Sequence, residues 1–118
     1  MKNKKKFSLV LVKPSHYDDD GYVIQWFRSS MPANSLACLY GLAVECDKEK
    51  VLGENVEIEI HAFDEANTHI NTKKITSIIE SADDGMLMLV GVQTNQFPRS
   101  LDIAEPLRAK GIKVVVGG

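Results

Sequence analysis

Residues 86–92 read MLMLVGV, a run without a single polar side chain. A strand of this kind has no face to offer water, so both of its faces must be covered. Residues 7–12, FSLVLV, carry the same signature with one serine. Two such strands in one chain require a parallel sheet with helices on both sides. That requirement governs how the segments between them are read.

Those segments supply the helices. Leu36, Leu39, Tyr40 and Ala43 recur at helical spacing, with Asn34 or Ser35 as the cap and an end expected by Gly53. A second helix is capped by Asn71, turns Ile75, Ile78, Ile79 and Ala82 inward, and is expected to end at Gly85. A third opens on Pro98, which suits a first turn, and turns Leu101, Ala104 and Leu107 inward. Pro106 removes a hydrogen bond from that helix, so a kink or an early end is expected there.

Residues 56–62, VEIEIHA, alternate instead: Val56, Ile58, Ile60 and Ala62 against Glu57, Glu59 and His61. One polar face marks an edge strand. Residues 112–116, IKVVV, form the last strand. The alternation predicts one α/β domain over residues 1–118. It is a flavodoxin-like (Rossmann-like) three-layer sandwich whose parallel sheet of about four strands runs in the order 2-1-3-4. No helix follows the fourth strand. Its open edge at 112–116 is therefore expected to pair with another chain, as in a homodimer, or to mark the chain as the front piece of a longer protein.

Charge and cysteine narrow the partners. The net charge is −2 with no basic stripe, so nucleic acid is not an expected ligand. Lys2, Lys4, Lys5 and Lys6 read as a solvated tail. No apolar run approaches the ~20 residues of a membrane span. The run after MKNKKK ends at Lys13-Pro14, short of a signal peptide's apolar region, so a cytoplasmic location is expected. Cys38 and Cys46 share a helix at a separation of about two turns, roughly 12 Å, which is too far for a disulfide. They read as two buried structural thiols.

In open α/β sheets a ligand sits beyond the carboxyl ends of the strands, where the strand order reverses. This rule selects residues 13–33, 63–69, 93–97 and 117–118. The first is about three times the usual length of such a connection, and it holds a histidine, three consecutive aspartates, Trp26, Phe27 and Arg28. Ser15, His16, Tyr17, Asp64, Gln93, Thr94, Asn95, Gln96, Gly117 and Gly118 are the candidate binding residues. They are mostly neutral hydrogen-bonding types (Ser15, Gln93, Thr94, Asn95, Gln96), which suit a large amide-rich or hydroxyl-rich ligand better than a bare phosphate. Asp18–Asp20 before Gly21 read as a solvated turn. His61 and His69 read as surface residues, and Trp26 with Phe27 as core, or as a lid or docking surface. A dinucleotide site needs three glycines after the first strand, and only Gly21 stands there. A receiver domain needs an acceptor aspartate after the third strand, where Val92-Gln93 stands.

The runs KPSHYDDDGYVIQWFRSSMPANSL, IEIHAFDE, LVGVQTNQFPRSLDIA and VVVGG, taken in that order, resemble the front domain of cobalamin-dependent-type radical S-adenosylmethionine proteins. The resemblance covers nearly the whole chain. It implies a cobalamin-binding domain that is not catalytic alone. It also implies a downstream radical domain carrying the iron–sulfur cluster and S-adenosylmethionine. His16 falls near the family's histidine motif and is the candidate axial ligand to cobalt. Pro14 stands at that motif's aspartate position, while Gly117-Gly118 match its terminal glycines. The resemblance further implies that the long first loop shapes the lower face of the corrinoid or seals the seam with the radical domain. The alternative is a degenerate α/β domain that binds no cofactor and acts as an interaction module.

Overall fold

Period-two and period-3.6 patterning sort this chain into alternating strands and helices. The computed structural model describes residues 4–25 and 34–117. Strands β1 (Lys5–Lys13), β2 (Val56–Asp64), β3 (Asp84–Leu89) and β4 (Lys113–Val116) alternate with helices α1 (Asn34–Lys48), α2 (Thr72–Glu80) and α3 (Phe97–Ala109). Every strand pair is parallel and the order is β2-β1-β3-β4, a flavodoxin-like sheet. Phe7 stands between Ile58 and Asp84, and Leu87 between Val10 and Val114. The alternating strand β2 lies at an edge and the apolar β1 and β3 lie in the middle.

Successive side chains of a strand point to opposite faces, which makes the three layers. Leu11 and Val90, with Leu9, Ile60 and Met88, pack under Leu36 and Leu39 of α1. Val10, Val12, Leu87 and Leu89 point the other way, into Ile75 and Ile79 of α2 and Ile103, Ala104 and Leu107 of α3. Asn71 caps α2 as its sequence predicts: its side-chain oxygen accepts the Lys74 N–H at 3.1 Å.

Several local expectations are corrected. Tyr40 is 44% and Leu101 50% exposed, because the sheet-facing stripes run through Leu36 and Ala43 on α1 and through Ser100, Ile103, Ala104 and Leu107 on α3. Cys38 is exposed and Cys46 half-buried, so the two thiols are not both core. Pro106 does not end α3, which continues to Ala109. α1 takes in both Asn34 and Ser35, and residue 33 before it lies outside the described residues, as do Trp26, Phe27, Arg28, Lys2 and Gly118. β3 closes at Leu89, three residues short of the apolar run's end.

Gly85 is not the end of α2 but the second residue of β3. A Cβ there would stand 2.5 Å from the Ser8 carbonyl oxygen of β1 and 3.0 Å from Ile79 Cγ2 of α2. The glycine lets α2 and the two central strands approach each other. A backbone oxygen cannot swing aside, so Gly85→Ala is expected to cost about 1–3 kcal/mol, the range for overpacked cores. Urea denaturation should show a lower midpoint at an unchanged slope.

Candidate functional site at the carboxyl end of the sheet

The long connection after β1 begins as a small hairpin. Tyr17 pairs antiparallel with Val23. The Asp18 N–H donates to the Tyr22 carbonyl at 2.7 Å, and the Ile24 N–H donates to the His16 carbonyl at 2.9 Å. Asp18 closes the turn, its Oδ1 accepting the Asp20 and Tyr22 N–H groups at 2.9 Å each. The aspartate triplet is thus an exposed turn, as its position before Gly21 suggests. Ser15 Oγ donates to the Ile24 carbonyl and ties the hairpin's base.

The hairpin is strapped down on both sides. Gln25 Nε2 reaches the Glu65 and Thr68 carbonyls after β2, at 3.1 and 3.2 Å. Tyr17 donates its hydroxyl proton to Asp102 Oδ2 of α3. Beneath these lies Glu65, 1% exposed. Its Oε1 accepts the Ser15 backbone N–H at 3.1 Å and Arg99 Nε at 3.0 Å, and its Oε2 accepts a terminal Arg99 nitrogen at 2.7 Å. The Arg99 guanidinium also lies 5.8 Å from the centre of the Tyr17 ring, a cation–π approach. One carboxylate therefore joins the segments that follow β1, β2 and β3.

The electrostatics follow from this packing. Glu65 raises the Arg99 pKa further above its already high ordinary value, so the guanidinium stays charged. Burial, then the Asp102 contact, push the Tyr17 phenol up. Burial lowers the Lys13 ammonium against the opposing pull of Asp64. Lys13 Nζ donates to the Gly91 carbonyl at 3.0 Å, at the opening between β1 and β3. Gly91 sits at φ +63, and a Cβ there would stand 2.6 Å from Ser35 Oγ. The left-handed backbone and the nearby Ser35 and Lys13 side chains favour glycine here.

The sequence-predicted residues divide by task. Ser15 is buried and bonded within the hairpin and to Glu65. Gln96 Nε2 donates to the Pro14 carbonyl at 2.9 Å, and its Oε1 accepts the Gln93 N–H at 2.9 Å. Asp64 Oδ1 accepts the Ala66 N–H at 3.0 Å, a loop-shaping contact. These three serve the fold. His16 is half-buried, and Gln93, Thr94 and Asn95 are exposed. Gly117 bridges β3, donating to the Leu89 carbonyl and accepting the Val92 N–H, each at 2.9 Å. Among the described residues nothing lies within 4 Å of where its Cβ would stand, so their packing does not require a glycine there. Among the described residues no three His, Cys, Asp or Glu side chains converge as a metal site.

Sequence reading missed Glu65, Arg99, Asp102 and Gln25. One signal was available. Arg99 lies in the first turn of α3, where the helix dipole disfavours a cation, so a nearby anion was called for. Compared with family models, curated proteins and solved structures, the chain matches none.

Proposed function

We propose that this chain is a cobalamin-binding α/β domain of a radical S-adenosylmethionine protein, holding a corrinoid against the carboxyl end of its sheet. The observation that carries the reading is the strapped hairpin at the strand-order reversal between β1 and β3. It carries half-buried His16 in the loop after β1, at the same end of the sheet as the exposed, uncharged Gln93, Thr94 and Asn95 after β3 and Gly117 after β4. The rim would hydrogen-bond the amides of a corrin ring, Gly117 would admit its tail, and His16 would be the candidate nitrogen ligand to cobalt. When bound, the corrinoid supplies the cobalt chemistry, and the chain orients and shields it. In this reading the iron–sulfur cluster and S-adenosylmethionine belong to a downstream domain of the same cytoplasmic protein. Among the described residues no helix is long and apolar enough to cross a membrane.

A second reading rests on β4. This strand is an open edge whose Val115 and Val116 are 42% and 43% exposed, beside exposed Leu101. An interaction module would dock a partner or a second copy there and ignore corrinoids.

Titration with hydroxocobalamin, followed in the visible spectrum, separates the two. Saturable retention of the cofactor is the expected outcome. A spectrum that changes in His16→Ala assigns the histidine to cobalt, and an identical spectrum assigns binding without a protein ligand. Neither a spectral change nor retention would sink the cobalamin reading. Self-association through β4 that is indifferent to cobalamin would then support the module.

A further inference from the structure

Glu65 is a buried carboxylate held by a donor set suited to an external anion. A backbone N–H from the loop after β1 and a forked guanidinium from α3 converge on its two oxygens at 2.7–3.1 Å. Backbone N–H groups and arginine forks are the donors that proteins use for phosphate and carboxylate ligands. The place is also the one where sheets of this order take ligands, beyond the strand ends at the reversal. Here a side chain of the chain itself fills it, arriving from the loop after β2.

We propose that Glu65 is a resident anion that decides ligand class: it occupies the anion position at the strand-order reversal and keeps phosphate and free carboxylates out. The ligand group that meets the Arg99 position is then neutral, consistent with the uncharged Gln93, Thr94 and Asn95 exposed after β3. The inference does not depend on the ligand being a corrinoid, since it concerns only what cannot enter. Arg99 keeps 18% of its side chain exposed, so a solute anion has a path to the guanidinium once Glu65 is shortened.

Thermal melts of three proteins test it: the wild type, Glu65→Ala and Glu65→Gln. Acetate or inorganic phosphate is raised to about 50 mM against chloride at equal ionic strength. Glu65→Ala opens the carboxylate's place. It is expected to melt lower than the wild type and to regain about 3 °C or more, saturably, with acetate or phosphate. Glu65→Gln keeps the place filled, and it and the wild type are expected to show no saturable response. If Glu65→Ala is unfolded in chloride, circular dichroism is expected to show helix returning as acetate is added. Three results would overturn the proposal: saturable stabilisation of the wild type by phosphate, an equal response in Glu65→Gln, or no recovery of Glu65→Ala with either anion.

Discussion

Replacing Arg99 with methionine should destabilise the protein by about 3–5 kcal/mol at neutral pH, the range for removing one partner of a buried ion pair. The cost comes less from the lost attraction than from what remains, a carboxylate at 1% exposure that keeps, among the described residues, the Ser15 N–H as its partner. Urea denaturation of both proteins at neutral pH reads this directly. A cost below about 1 kcal/mol would mean that Arg99 acts through packing of its stem and not through charge. Removing both charges in Glu65→Leu/Arg99→Met should cost less than Arg99→Met alone, the non-additivity expected of a coupled pair.

Leu87→Ala is expected to cost about 2–5 kcal/mol. Leu87 is completely buried at the centre of β3, between Val10 and Val114, beneath both α2 and α3. Two helices meet over it, so the surroundings cannot collapse into the space left by the lost methyls. Met88 is the next residue but points to the α1 side and is half-buried. Met88→Ala should lose clearly less, and the contrast between neighbours is the measurement. Equal losses would mean that the two faces of β3 are covered alike, contrary to the packing described.

How much of this was legible follows from which forces act locally. The apolar runs at 7–12 and 86–92 announce buried parallel strands, and VEIEIHA announces an edge. These patterns depend on period alone, and the strand order 2-1-3-4 followed from them. The misplaced details each involve a contact that no local pattern encodes. Gly85 looked like a helix terminator, because glycine after an amphipathic stretch usually is one. Its strand position is set by the Ser8 carbonyl, 77 residues away in sequence. Leu101 fitted a helical stripe one step from the stripe that the sheet selects. At the carboxyl end of the sheet, the rule for open sheets selected the loops that Glu65 and Arg99 tie together. It did not distinguish residues that build the loops, such as Ser15 and Gln96, from those left exposed, such as Thr94 and Asn95. Glu65 was passed over inside FDEANTH because nothing in the local pattern separates it from its neighbour Asp64. Only the tertiary approach of Arg99 gives it meaning.

The parallel sheet has a consequence for the order in which the chain can mature. No strand pairs with its neighbour through a short turn. The central strand β1 is made first, yet its second row of hydrogen bonds waits for β3, with Phe7 meeting Asp84. At ribosomal rates of about 5–20 residues per second, that partner emerges roughly 4–15 s later. For this interval the most apolar strand of the first half has one flank unpaired and one face without its α2 and α3 cover. The nascent chain therefore carries a sticky ribbon for seconds, which makes it a natural client for whatever shields emerging polypeptides from one another.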